Sequence, residues 1–284
     1  MNKNNFTIAV LSGKGGTGKT FVSVNLAAAA PFARYYDCDV EEPNGHLFFK
    51  PENICEEIVS VPIPIADETK CDGCKACVTF CRFHALAYAG GRLMVFDDVC
   101  HSCGGCALVC PKQAITEVNQ PIGRISKGQS ESVAVCSGMM DTGVESGVPI
   151  IRKLLENQDM CDGLSVIDCP PGSACTVTES IRNADICILV AEPSIFGAHN
   201  LDMVYRLCRM SGKPIGVVLN KCTQGDNPSE TYALTNRIPV LAAIPFDKEL
   251  AYLNAEGQIA VRQKESYRIL FRNLLQRIQS EVTQ

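Results

Sequence analysis

Residues 6–20 constrain the fold of this chain more than any other stretch. Phe6–Ser12 is a short apolar run with strand character. Gly13-Lys14-Gly15-Gly16-Thr17-Gly18-Lys19-Thr20 follows at once, and Phe21–Ala30 is apolar and alanine-rich, a good helix former. Strand, G-x-x-x-x-G-K-T and helix, in that order, are the setting of a phosphate-binding loop. Its glycines let successive backbone N–H groups turn toward phosphate oxygens, and the helix N-terminus adds positive potential. In such a loop Lys19 contacts the β- and γ-phosphates and Thr20 ligates Mg²⁺.

The rest of the chain alternates in the same way. Ile186–Ala191 and Ile215–Asn220 are apolar strands, and Val148–Leu155, Leu201–Met210 and Tyr267–Ile278 have helical periodicity. The pattern predicts an α/β fold, a mostly parallel sheet with helices on both faces, whose ligands sit beyond the carboxyl ends of the strands. Hydrophobic residues make up 46% of the chain, enough for a core of that kind. The net charge of −5 argues against nucleic acid as a partner. No run approaches the roughly 20 apolar residues that span a bilayer, and the N-terminus lacks a signal-peptide pattern. A cytoplasmic protein without stable membrane insertion is expected.

Seventeen of the 284 residues are cysteine, and eight of these fall into two runs. Cys71, Cys74, Cys77 and Cys81 have the spacing C-x2-C-x2-C-x3-C, and so do Cys100, Cys103, Cys106 and Cys110, with Pro111 following. This is the spacing of bacterial two-cluster ferredoxins, in which the fourth cysteine of each run ligates the other cluster. It predicts one [4Fe-4S] cluster on Cys71, Cys74, Cys77 and Cys110 and a second on Cys100, Cys103, Cys106 and Cys81. Zinc sites or free thiols are the alternatives. Ala85–Tyr88 and Arg92–Phe96 flank Gly90-Gly91, a hairpin signal, and Ile115–Val118 is a further short strand. His84 and His101 lie beside the runs, as surface residues or as groups tuning a cluster potential.

The eight-residue loop, with its early Lys14, resembles the deviant Walker A motif of the MinD/ParA and nitrogenase-iron-protein family of ATPases. The resemblance implies ATP or ADP with Mg²⁺ bound by Gly13 through Thr20. It also implies a nucleotide-sandwich homodimer in which Lys14 acts in trans on the partner's phosphates. Tyr35–Asn44 resembles the family's second strand and first switch, which implies that Asp39 orients the attacking water or its magnesium shell, with Asp37 structural. Lys14, Lys19 and Asp39 are then the catalytic set. Leu164–Gly172 resembles Walker B joined to the second switch, so that Asp168 holds Mg²⁺ through water and the Gly172 N–H faces the γ-phosphate. Asn220, and Pro245 and Asp247 within Leu241–Asp247, match adenine-contacting positions.

The prolines of Val61–Pro64 and Gln120-Pro121 punctuate the chain on either side of the cysteine runs. They divide it into a first ATPase segment, 1–63, a small α+β ferredoxin-like insert, 64–120, and a second ATPase segment, 121–284. This resembles MinD-like ATPases that carry an inserted two-cluster ferredoxin domain. The resemblance implies an ATP-dependent dimer switch coupled to electron transfer to, or metal-cluster maturation of, a partner protein. An Mrp-like cluster scaffold is a second expectation, weakened because the C-terminal half has no CxxC. MinD/ParA-like positioning is a third. Cys175 matches a cysteine that bridges the nitrogenase iron-protein dimer through a shared cluster, or else packs as an apolar residue, and Cys136 is the nearest second thiol. Cys38 and Cys169 end the two switch strands. Cys55, Cys161, Cys187, Cys208 and Cys222 read as core or surface thiols.

Overall fold

The computed structural model describes residues 5–156 and 163–283. Cys161 lies outside them. In chain order the first half contains β1 (Asn5–Leu11), α1 (Lys19–Ala29), β2 (Ala33–Asp37), α2 (Gly45–Phe49), β3 (Glu52–Ala66), α3 (Ala76–Phe80), β4 (Leu86–Ala89), β5 (Arg92–Val95), α4 (Gly105–Leu108), β6 (Ile115–Ser130) and β7 (Val133–Met140). The second half contains α5 (Val148–Leu155), β8 (Gly163–Asp168), α6 (Cys175–Ser180), β9 (Ile186–Ala191), α7 (Ile195–Met210), β10 (Ile215–Cys222), α8 (Pro228–Thr235), β11 (Val240–Pro245), α9 (Lys248–Ala255), α10 (Ala260–Gln263) and α11 (Glu265–Thr283).

Nine strands form one sheet in the order β11-β10-β9-β1-β8-β2-β7-β6-β3. All neighbours from β11 to β7 are parallel, and β6 and β3 close the far edge antiparallel. The mixed α/β fold with a mostly parallel sheet is therefore as expected. β1 shows why its sequence is apolar on both faces. Ile8 and Val10 face the layer of α1, α9, α10 and α11, while Ala9 and Leu11 face that of α5, α6, α7 and α8. On the first face Phe271 of α11 is fully buried and meets Phe21 of α1 edge-on, ring centroids 5.6 Å apart. The amphipathic last helix thus packs on α1. Among the described residues no helix is long and apolar enough to cross a membrane.

β3 and β6 are longer than their sequences suggest. They pair from Glu52↔Gln129 to Ala66↔Ile115, so Ile115–Val118 is only the beginning of β6. Pro62 and Pro64 sit within β3, and Pro121 sits within β6 opposite Ser60, beside a shift in register. Proline is tolerated there because β3 is the sheet edge and the irregularity next to Ser60 relieves the missing donor. At the end of this ribbon α3, the β4–β5 hairpin and α4 form a small lobe. Its two halves repeat one backbone path. Gly73 (φ 72°) and Lys75 (φ 61°) in the first are matched by Ser102 (φ 51°) and Gly104 (φ 71°) in the second. The lobe's apolar cluster of Cys77 and Leu86 includes Ile115 of β6. Since it grows from the main sheet and shares a strand residue with it, it is not delimited as a discrete ferredoxin-like domain.

Candidate functional site

A cleft of about 970 Å³ opens at the carboxyl ends of β1, β2, β10 and β11. Gly15, Gly16, Gly18, Lys19 and Thr20 form its floor, Asp39, Glu41 and Glu42 one wall, and Asn220, Pro245, Phe246 and Asp247 another. Position follows from topology: parallel strands end here, and the loops that follow them carry the polar groups. The helix α1 begins at Gly18, which is left-handed (φ 93°), with no side-chain cap and no acidic residue in its first turn. Its N–H groups and dipole are therefore directed to the cleft floor without internal competition, the arrangement of an anion site.

Lys19 is the electrostatic centre. Its Nζ donates to Asp168 Oδ1 at 2.6 Å and lies 3.8 Å from Asp39 Oδ2. β2 and β8 are in register with Asp37 opposite Asp168, and both are fully buried, so two carboxylates lie side by side beneath the loop. Burial, then repulsion from Asp168, pushes the Asp37 carboxyl up to about 7, against the pull of Lys19 and the Gly45 N–H. Burial raises Asp39 to about 6, opposed mainly by Lys19. Burial alone would lower the Lys19 pKa, but Asp168, Asp39 and Asp37 together outweigh it and raise it. One ammonium faces three carboxyl groups, so the site carries surplus negative charge of the kind a divalent cation offsets.

The expected residues are placed as follows. Asp37 has the structural role expected of it, accepting from the N–H groups of Asn44 (3.0 Å) and Gly45 (2.8 Å) and so holding the start of α2. Lys14 forms an ion pair with Glu192, just beyond β9, and so is held within its own chain. Gly13 packs on Asn200 of α7, and the Gly172 N–H donates to Ser12 O at 3.0 Å. Asn220 lines the cleft, but its Nδ2 donates to Thr17 O at 2.8 Å, and the neighbouring Lys221 Nζ donates to Gly16 O at 2.6 Å. Asp247 caps α9 through Glu249 N (2.8 Å) and accepts from Tyr267 OH at 2.8 Å. Two residues at the site escaped the sequence reading. Glu192 follows the end of an apolar strand, a position that does signal function in parallel sheets. Tyr35, whose OH donates to Asp168 Oδ2 at 2.9 Å, has no such signal, because tyrosine is ordinary in strands.

The cysteine expectations are corrected. Cys71, Cys74, Cys77 and Cys110 surround one small cavity and Cys81, Cys100, Cys103 and Cys106 another, as their spacing groups them. Yet among the described residues no group of three or more His, Cys, Asp or Glu side chains is arranged to hold a metal ion. All eight are free thiols. The two [4Fe-4S] clusters, the electron-transfer and cluster-delivery roles, and the redox or maturation partner inferred from them are therefore not carried forward. A third cluster on Cys175 goes with them. Cys175 is an exposed free thiol at the start of α6, whereas Cys38, Cys169, Cys187 and Cys208 are buried in the sheet's core.

Comparison with known proteins agrees with the cleft. The family model described as the CobQ/CobB/MinD/ParA nucleotide binding domain matches residues 8–261. The septum site-determining protein MinD of Pyrococcus horikoshii, solved in complex with Mg-ADP, superposes with a TM-score of 0.60 over 96% of each chain at 20% identity. An uncharacterised protein of Methanocaldococcus jannaschii is 26% identical over 260 residues, covering 88% of this chain and 90% of its own. Pyruvate synthase subunit PorD of Thermotoga maritima is 45% identical over 79 residues, 26% of this chain and 80% of that one.

Proposed function

This chain belongs to the CobQ/CobB/MinD/ParA nucleotide-binding family, and on that premise we propose that it is an ATPase that binds and hydrolyses Mg-ATP in the cleft above the glycine loop. One observation carries the reading. Lys19 stands at the uncapped N-terminus of α1, between Asp168 and Asp39, on the floor of a cleft large enough for a nucleoside triphosphate.

The residues present fit both groups. The loop N–H groups from Gly15 to Thr20 and the Lys19 ammonium supply donors for phosphate oxygens; the Thr20 hydroxyl, which lines the cleft, would supply a hard oxygen to Mg²⁺, and Asp168, buried behind Lys19, would hold it through water. Bound Mg²⁺ supplies charge neutralisation on the β- and γ-phosphates. Lys19 exchanges part of its pairing with Asp168 for phosphate, which offsets the desolvation of both. Asp39 faces the cleft beside Lys19, and its pKa of about 6 places it where a carboxylate accepts a hydrogen bond from, and orients, the attacking water. Asn220 and Lys221 hold the carbonyls of Thr17 and Gly16, fixing the loop from the base side of the cleft. Pro245, Phe246 and Asp247 bound the region left for the adenine.

The reading includes a homodimer assembled around nucleotide. Lys14 leaves Glu192 and contributes its ammonium to the partner's phosphates, as an arginine finger does. In this organisation residues 1–63 and 121–284 build the nucleotide-binding unit, and 64–120 form an arm carried on its sheet edge. Phosphate release measured with and without Mg²⁺ tests the reading. Metal-dependent turnover is expected from the wild type, a loss of at least about 100-fold in Asp39→Asn, and loss of ATP binding in Lys19→Ala. A wild-type protein that shows no calorimetric binding of ATP or ADP would sink it.

A further inference from the structure

Tyr35 is a large polar side chain with no exposure at all, in the middle of β2. Its position follows from the strand period: Tyr35 and Asp37 share one face of β2, and Asp37 lies opposite Asp168 of β8. The phenol therefore reaches Asp168 from below, donating to Oδ2 at 2.9 Å while Lys19 donates to Oδ1 at 2.6 Å. Each oxygen of the buried carboxylate has one donor, and the two donors come from different elements. The Tyr35 ring is fixed in turn. Phe49 of α2 packs on it with centroids 4.9 Å apart, and Gly45 lies so close that an added Cβ would stand 2.4 Å from the phenol oxygen. The hydroxyl is thus clamped between the start of α2 and Asp168.

A core tyrosine needs only some acceptor, and a backbone carbonyl would serve. Using a buried carboxylate instead costs desolvation, and here that carboxylate is the one assigned to the metal. We infer that Tyr35 is a positioning residue for the metal site: its hydroxyl fixes the rotation of the Asp168 carboxylate and so sets the affinity for the divalent cation. The inference rests on the nucleotide reading above. It also makes Gly45, at the start of α2, a contact through which the first switch bears on Asp168. Any displacement of α2 that moves Gly45 and Phe49 relaxes the clamp on the phenol.

The test is calorimetric titration of Mn²⁺ into the full-length protein saturated with ADP, comparing wild type with Tyr35→Phe. Phenylalanine keeps the ring and its packing on Phe49 and removes the hydroxyl, with its donation to Asp168 and its contact with Ser23. Mn²⁺ binding is expected to weaken about tenfold, the scale of one hydrogen bond to a charged group, with metal-free ADP affinity unchanged. Gly45→Ala keeps the hydroxyl but pushes the ring aside, so it should also weaken Mn²⁺ binding. Equal Mn²⁺ affinity in wild type and Tyr35→Phe, with only the melting temperature lowered, would show a core tyrosine with no influence on the metal and overturn the inference. Absence of ADP binding by the wild type would remove the nucleotide reading itself, and the inference with it.

Discussion

At the scale of single residues, the buried Asp37 carboxyl lies beside Asp168 beneath the phosphate loop and gives the molecule a dependence on pH. Lys19 lies 2.6 Å from Asp168 and 3.8 Å from Asp39, and the sequence singles out all three through its phosphate loop and strand-end carboxylates. Tyr35 and Glu192 were invisible, because their roles depend on which strands become neighbours. Asp37 gives this scale its prediction. Its folded pKa, about 7, lies above the ordinary aspartate value of 3.8, because burial and Asp168 disfavour its charge. A group with a raised folded pKa contributes stability that is fully present below its unfolded pKa and lost as pH rises through its folded pKa. Asp39, raised to about 6, acts in the same direction. The melting temperature of the nucleotide-free protein should therefore fall as pH rises from about 5 to about 8. Asp37→Asn, whose amide oxygen still accepts from Asn44 and Gly45, should make that slope shallower. Equal slopes in variant and wild type would show that Asp37 is not its source.

At the scale of elements, strands and helices with strong periodicity appear where expected. β9 spans Ile186–Ala191 and α5 spans Val148–Leu155, in both cases the residues their patterns indicated. The ribbon of β3 and β6 was not legible. Proline reads as punctuation when the partner strand is unknown, and only the sheet order shows that Pro62 and Pro64 lie on an edge where no donor is required. The cysteine runs teach the converse. The thiols line two cavities, but grouping along a loop does not specify a ligand geometry, and no metal-holding arrangement is present among the described residues. The junction of the loop with α1 carries the prediction for this scale. Gly18 has φ 93°, and an added Cβ would stand 2.1 Å from the Asn220 Nδ2 that holds the Thr17 carbonyl. Gly18→Ala should cost about 2 kcal/mol of stability from backbone strain alone. Because the loop loses its anchor on β10, nucleotide affinity should fall by at least about tenfold as well. Chemical denaturation and ADP titration measure the two effects separately, and a variant with wild-type ADP affinity would show that the Asn220 anchor is dispensable.

At the scale of the whole molecule, the proposed homodimer turns on where Lys14 is held in the single chain. Lys14 is half exposed and paired with Glu192, which the lysine holds below the usual glutamate pKa, so the ion pair persists at neutral pH. The pair is partly buried, Glu192 more than Lys14, and an ion pair still open to solvent is worth about 1 kcal/mol. In the proposed dimer this contact is a weak latch that competes with donation of Lys14 to a second copy. Ile195 and Phe196, both exposed at the start of α7, lie beside it in sequence and move out of water if a partner covers this edge. Glu192→Gln removes the charge of the latch without removing an acceptor for Ser194. It should strengthen ATP-dependent dimerisation by about fivefold, the equivalent of 1 kcal/mol, while leaving ADP affinity near that of the wild type. Lys14→Ala should bind ATP yet remain monomeric with it, because the group proposed to cross the interface is gone. Light scattering across a protein dilution series, with ATP and Mg²⁺ and with the Asp39→Asn background to slow turnover, reads both constants. A Lys14→Ala protein that dimerises as well as the parent would place the subunit contact elsewhere and leave Glu192 as an ordinary surface partner of the loop.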